Sequence, residues 1–245
     1  MRNWFEWSGE RCTNYGIVVT ELPPITIPKE RVETAEIPGR AGSLTIVEGE
    51  SVYENIELTA KCYVKNGVDV AVIADWLRGS GTLTFANRPG GYYRARVREE
   101  ISFEKILRGS EALSFEITFD CMPFFYALDA PDVVITSVGA TIIGQGGIFA
   151  EPLISVTGSG TVWLFVNDTQ VTFSDLDGTI YIDSEAGMAY TVESGSIVFA
   201  GSHVVLEDDV WPVLKAKGAR NIVSVRGISG GTYSSVVIRP RWREL

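Results

Sequence analysis

Two stretches of strict two-residue alternation constrain what this 245-residue chain can fold into. In the first, Ile56, Leu58, Ala60, Cys62 and Val64 alternate with Glu57, Thr59, Lys61 and Tyr63. In the second, Leu113, Phe115, Ile117, Phe119 and Cys121 alternate with Ser114, Glu116, Thr118 and Asp120. Successive side chains of a strand point to opposite faces, so each stretch reads as a strand with one face buried and one in water. The second is expected to be one arm of a hairpin, Tyr92–Leu107 and Glu111–Tyr126 joined by Arg108-Gly109-Ser110. Strands of that length exceed the usual span of about five or six residues. Ile17–Val19, Leu44–Val47 and Gly81–Phe85 read as further strands, and Arg88-Pro89-Gly90-Gly91 as a turn.

A single helix is expected. Asp69 suits its N-cap, Val72, Ile73, Trp76 and Leu77 form one apolar stripe, and Gly79 suits its C-terminal stop. The pattern changes at Ala127-Leu128-Asp129-Ala130-Pro131. Beyond it, turn signals recur every eight to twelve residues: Gly139, Gly144, Gly158, Asn167-Asp168, Asp177-Gly178, Gly187, Gly195 and Gly201. Many short strands at that spacing describe a β-sandwich or jelly roll. The chain therefore reads as mainly β, with domains over residues 1–130 and 131–245.

Net charge is −10 and unevenly laid out. Between Asp132 and Leu214 there are eleven acidic residues and no Lys or Arg. Such a balance argues against a generally basic surface that adheres to nucleic acid. No run approaches the ~20 apolar residues that span a bilayer, and the N-terminal "MRNWFEWSGE" lacks the apolar core of a signal peptide. Cys12, Cys62 and Cys121 are far apart, without C-x-x-C spacing, which suits a reducing compartment.

Candidate chemistry is sparse. Gly227-Ile228-Ser229-Gly230-Gly231 spells G-x-S-x-G, but a nucleophile elbow needs a following helix and later acid and His partners. Strand-like Ser234–Ile238 follows instead, so a glycine hairpin turn is expected. Asp175-Leu176-Asp177-Gly178 has the wrong spacing for a calcium loop; a turn is expected, with a loose site from Asp175, Asp177 and Asp183 as the lesser option. His203, the sole histidine, has no Cys cluster with which to hold zinc. Gly144–Gly147 and Gly158–Gly160 lack the helix a phosphate cradle requires. Trp4, Trp7, Trp163, Trp211 and Trp242 can serve cores or stack on sugars. No enzyme, metal site or cofactor emerges.

The order of segments is informative as well. "AEIPGRAGSLTI", then "VIADWLRGSGTLTFANRPGGYYRARV", then a hairpin ending "FEITFDCMPFFY", resembles the N-terminal domain of the distal tail protein family of long-tailed (siphovirus-type) bacteriophages and prophages. "LISVTGSGTVWLFVND", "DGTIYIDSEAGMAY", "VWPVLKAKGARNIVSV" and "VVIRPRWREL" resemble that family's C-terminal domain. The resemblance implies an N-terminal tail-tube-like β-sandwich with one helix and a long hairpin, and a C-terminal galectin-like β-sandwich (jelly roll). It further implies a homohexameric ring joining the tail-tube protein to the tail-tip hub, with a channel through which DNA passes unbound. Such a protein belongs to the virion tail tip, is assembled in the bacterial cytoplasm and contacts no membrane. The alternative is a carbohydrate-binding baseplate module that uses the C-terminal sandwich, with Trp163 as a sugar contact.

On that reading the subunit interface draws on Ile37, Pro38, Gly39 and Arg40, and on Tyr92, Tyr93, Arg94, Arg96, Ile106 and Leu107 of the hairpin. Trp4, Phe5 and Trp7 are candidates for docking a partner, with tucking of the apolar terminus into the core as the equal alternative. "PKERVETAEIPGRAGS" is long for a connection inside a compact domain. It is expected to leave its own sandwich as a belt, turning back at Gly39, with Arg40 pairing across the contact.

Overall fold

The computed structural model describes residues 3–47, 52–106 and 111–245. The chain divides into two units, one running to Leu128 and the other from Asp129 to Glu244, each with its own apolar core. The architecture is mainly β, with one α-helix among the described residues.

The first unit contains β1 (Phe5–Trp7), β2 (Glu10–Arg11), β3 (Ile17–Glu21), β4 (Val32–Ala35), β5 (Leu44–Val47), β6 (Ile56–Val64), helix α1 (Val70–Trp76), β7 (Ser80–Phe85), β8 (Gly91–Val97), β9 (Glu104–Lys105) and β10 (Leu113–Ala127). Its sheet runs β2-β1-β7-β8-β10-β6-β3, with β9 beside β10. The two alternating stretches are neighbours in it. Phe115 faces Cys62, Ile117 faces Ala60, Phe119 faces Leu58 and Cys121 faces Ile56. The two apolar rows therefore meet on one face, which fixes the register, because a one-residue slip of either strand would turn its row to water. On the outer face Glu116 stands opposite Lys61, and the Thr59 and Thr118 hydroxyls share a 2.9 Å hydrogen bond. Phe119 lies at the centre of an aromatic cluster, 5.5 Å from Phe5, 5.4 Å from Trp7 and 6.1 Å from Phe85 between ring centroids.

Helix α1 starts where expected. The Asp69 carboxylate accepts the Ala71 N–H at 2.9 Å, satisfying one of the donors a helix start leaves free. Seven residues are too few to hold a helix alone; Ile73 and Leu77 anchor it in the core. The expected stripe is narrower than the sequence implied. Val72 is exposed, and the buried line is carried by Ile73 and Leu77, four residues apart. Trp76 is half-buried, stacked between Phe5 (5.7 Å) and Tyr15 (4.2 Å).

The hairpin has one long arm, β10, and one interrupted arm. β8 stops at Val97 and pairing resumes only at β9. Tyr93, Ala95 and Val97 share the inward face of β8, so continued alternation would turn the Glu99 carboxylate into the core, where an unpaired charge is costly. The chain leaves the sheet instead.

In the second unit the expectation of many short strands holds for five strands and fails for three. Its elements are β11 (Val133–Ile135), β12 (Gly139–Ile143), β13 (Leu153–Val166), β14 (Thr169–Asp183), β15 (Met188–Glu193), β16 (Ser196–Phe199), β17 (Val204–Leu206) and β18 (Arg220–Arg239). The order is β11-β18-β13-β14-β15-β16, with β12 also beside β18 and β17 also beside β14. Three strands of 14, 15 and 20 residues carry it. Of the glycine signals read as turns, Gly158 and Gly178 lie inside these strands, whereas Gly187 and Gly195 do sit in turns between strands. β13 breaks register with both neighbours around Ser159–Val162. Burial changes parity across the same zone, from Val171 and Phe173 to Leu176, Ile180 and Ile182 in β14, and from Val223 and Val225 to Val236 and Ile238 in β18. A strand that passes from one layer to the other must switch its inward face, and a bulge supplies the extra residue. A Cβ on Gly158 would lie 2.2 Å from the Thr232 carbonyl oxygen, and one on Gly231 would lie 2.1 Å from that of Thr161. Glycine is required there by close approach of the strands.

Asn167-Asp168 does form the two-residue hairpin turn between β13 and β14. Asn167 has φ 54° and donates to Asn221 Oδ1 at 3.0 Å. Asn221 is fully buried, but its side chain also accepts the Lys215 N–H and donates to the Ile142 and Lys215 carbonyls, so burial leaves nothing unsatisfied. The late arginines close back on the acidic block. Arg239 holds Asp132 through two hydrogen bonds of 3.0 Å. Arg241 grips Asp183 at 2.7 and 2.8 Å, and Arg243 reaches Glu151 at 2.7 Å.

Candidate assembly surfaces

After Glu21 the chain leaves the first unit's sheet and returns to it at Ile56. The outgoing and returning legs bond to each other, Arg31 N–H to the Val52 carbonyl at 2.9 Å and Glu54 N–H to the Lys29 carbonyl at 2.8 Å. β4 and β5 then pair only with one another, Val32 opposite Val47 through Ala35 opposite Leu44. At the tip the Arg40 N–H donates to the Ile37 carbonyl at 3.1 Å, and Gly39 sits at φ 83°, a left-handed conformation that favours glycine. Ile37, Pro38, Gly39 and Arg40 are therefore brought together at one exposed turn. Arg40 has no ion pair among the described residues.

The arm is apolar to a degree the sequence reading did not assign to it. Ile25 and Ile27 are 62% and 74% exposed, and Leu44, Ile46 and Val47 are exposed as well. The signal was present in "PPITIP" and "SLTIV", but alternation alone cannot say that both faces of a two-stranded ribbon remain uncovered.

The hairpin candidates separate. Tyr92 is half-buried and stacked on Tyr126 at 5.4 Å, while the Arg94 guanidinium lies 4.9 Å over the Tyr126 ring. Arg96 donates from Nε to Asp120 at 3.0 Å, and Asp120 also accepts from Asn55; Arg96 thereby balances a buried carboxylate of its own unit. Tyr93 is a correction. It is buried, with its ring 5.0 Å from Phe125 and its hydroxyl accepting from Arg88 at 2.7 Å, so it is unavailable to a neighbour. Ile106 is exposed; Leu107 lies outside the described residues.

The N-terminal aromatics need the same correction. Phe5 and Trp7 are core residues at 0% and 1% exposure, because β1 joins the sheet beside β7. Partner docking through them is excluded by burial. Trp4 stays half-buried, under the Arg11 guanidinium at 4.3 Å.

The weaker chemical options also resolve. Ser229 and Gly230 have positive φ in a bulge within β18, not in a hairpin turn, and β18 continues through them as a strand. Asp175 (φ 51°) is likewise a bulge residue of β14. Asp177 and Asp183 are six residues apart on that extended strand, roughly 20 Å, and Asp183 is held by Arg241. The three carboxylates do not converge, and the described residues contain no cluster of three or more potential metal ligands. His203 Nδ1 lies 3.2 Å from the Ser174 carbonyl oxygen. Burial pushes the Cys62 and Cys121 thiols up to about 12, with Cys12 and Asp120 respectively adding to it. Trp163 faces outward between buried Val162 and Leu164, half-exposed, edge-on to Phe165 at 6.3 Å. Trp7 and Trp242 are core residues.

Residues 11–121 match the family model described as the phage tail protein RIFT-related domain. That span runs from β2 into β10 of the first unit, and over it the resemblance to phage tail proteins read from the sequence is borne out. Over its whole length the chain is similar to the solved structure of the Dit (gp 19.1) protein of phage SPP1, described as a paradigm of the hub adsorption apparatus in phages that infect Gram-positive bacteria. The TM-score is 0.68 at 16% identity, covering 100% of this chain and 99% of that one. At that identity the likeness speaks for the fold. No curated protein matches the sequence significantly.

Proposed function

We propose that this protein is the distal tail component of a long-tailed phage or prophage, forming a homohexameric ring between tail tube and tail-tip hub with a central channel for DNA. On this reading residues 1–130 close the ring and residues 131–245 form an outward galectin-like domain. The supporting observation is the arm described over residues 22–47 and 52–55. It carries Ile25, Ile27 and Ile46 exposed and uncovered by the other described residues, the kind of surface that marks a protein–protein contact. A head-to-tail contact, arm of one subunit against the body of the next, closes into a ring when the rotation closes. Arg40 at its tip pairs across that contact. The net charge of −10 per subunit suits a channel that lets DNA pass without adhering. The protein resides in the virion tail tip after assembly in the bacterial cytoplasm.

Light scattering on the purified chain, with electron microscopy of the same sample, tests the ring. The expected result is a particle of about six times 26.8 kDa with a visible central channel. A monomer at every concentration, with or without tail-tube protein, overturns it. The alternative, carbohydrate binding through the C-terminal unit, rests on Trp163 and Phe165 on the outer face of β13. It requires retention on host cell-wall polysaccharide that disappears in Trp163→Ala.

A further inference from the structure

The second unit carries an unprotected sheet edge that the ring reading does not use. β16 pairs with β15 on one side only and ends the strand order. All four of its residues are exposed, Ile197 by 65% and Phe199 by 71%. The Ala200 N–H donates to the Ala189 carbonyl at 2.9 Å. Counting back through the antiparallel alternation, Ile197 and Phe199 present their N–H and C=O groups away from β15. Proteins usually blunt such an edge with Lys, Pro or a bulge; β16 has none of these.

At the Phe199 end of the edge a mouth of about 260 Å³ opens, lined by Met188, Phe199, Val204, Leu206, Trp211 and Asp209 among others. Exposed carboxylates flank both ends of the edge, Glu193 at the hairpin turn and Glu207, Asp208 and Asp209 beyond Phe199. None of these four has an ion pair among the described residues. A second copy presenting the same edge would bring the same carboxylates against them, and like charges across a strand pair are destabilising.

We propose that β16 is the docking edge for an extended segment of a different protein, one that adds a strand to this sheet, places an apolar side chain in the Phe199–Trp211 mouth and carries Lys or Arg at both ends. Backbone hydrogen bonds to Ile197 and Phe199 supply affinity, the mouth supplies side-chain choice, and the flanking carboxylates select a basic partner over a copy of this chain. The site stands apart from the ring reading, which lies in the first unit, so either can fail alone.

The test titrates the full chain with the acetylated peptide Lys-Lys-Val-Thr-Val-Thr-Val-Lys-Lys and with the same peptide carrying Glu for every Lys. Amide hydrogen exchange reports the location. The basic peptide is expected to bind and to slow exchange at Ile197 and Phe199, and the acidic one to bind at least about tenfold more weakly. Ile197→Pro removes an outward N–H that the β15 pairing does not use, and is expected to weaken binding about tenfold with the circular dichroism unchanged. Glu207→Lys with Asp209→Lys, both at exposed positions, is expected to reverse the preference between the two peptides and keeps the test valid if the proline variant misfolds. Equal affinity for the two peptides, protection away from residues 196–199, self-association through β16, or no binding at about 1 mM peptide would each overturn the proposal.

Discussion

The two units solve the problem of long strands in opposite ways. In the first, β6 and β10 keep one inward face through nine consecutive register pairs, Leu113 opposite Val64 through Cys121 opposite Ile56. In the second, β14 and β18 change inward face half-way, and the change is made at glycines and left-handed residues where the strands come within touching distance. One unit is specified by alternation, and a polar residue on the wrong face is what it cannot tolerate. The other is specified by its corner, where a side chain is what it cannot tolerate. Both leave apolar surface uncovered, but the first places it on an arm outside its sheet and the second on the last strand of its sheet.

The comparison can be broken from either side. The largest effect is expected for Phe119→Ala, which removes the ring that meets Phe5, Trp7 and Phe85. Loss of such a buried ring costs about 3–5 kcal/mol, and calorimetry should show it in the melting of the first unit. In the second unit Gly231→Ala forces a methyl group against the Thr161 carbonyl oxygen and is expected to cost about 1–3 kcal/mol. Gly195→Ala, in the β15–β16 turn with open space around it but φ 82°, should cost only about 1 kcal/mol. Equal losses at the two glycines would mean that the corner is not the constraint.

Acid should distinguish the units next. Burial works to raise the Asp183 carboxyl, but it is outweighed by the hydrogen bonds from Arg241, Ala186 and Glu185, which hold it below its ordinary 3.8. The hydrogen bonds from Arg239 hold Asp132 below the same value. Groups with depressed values stabilise the fold above the ordinary value and lose that contribution as pH falls through the folded one. The second unit should therefore lose stability on acidification below about pH 4, and Arg241→Gln should flatten that dependence in a pH series of thermal melts. The first unit holds all three cysteines, buried and free, with Cys62 and Cys121 pushed up to about 12. A thiol reagent at pH 8 should leave the native protein unlabelled, and the labelling rate should follow opening of the first unit alone. Smallest in stability, Arg40→Ala at the exposed arm tip should change the melt by less than about 0.5 kcal/mol while weakening assembly in light scattering. Unchanged assembly would return that segment to a plain turn.

Much of the first unit was legible because its signals are local. Asp69 caps its helix through a neighbour two residues away, and the apolar rows of β6 and β10 declare their inward faces by period alone. The tip at Gly39 was legible for the same reason. What could not be read was occupancy. Phe5 and Trp7 look like a sticky terminus until β7 is placed beside them, and Tyr93 looks like a surface tyrosine until Phe125 and Arg88 meet it. In the second unit the glycine spacing was real, but Gly158, Gly227 and Gly231 carry the same letter whether a chain reverses or merely kinks.

The sequence by itself determined the β character, helix α1 and its cap, the alternating inward faces of β6 and β10, and an acidic block with its cations deferred to the end. Each of these follows from interactions within a few residues or from composition. Only the tertiary structure decided that three strands run long through their glycines, that Arg239, Arg241 and Arg243 return to that acidic block, and that β4–β5 and β16 stay uncovered. Those outcomes depend on which surfaces meet across dozens of residues, and the free energy of burial depends on the partner surface as much as on the residue that is buried.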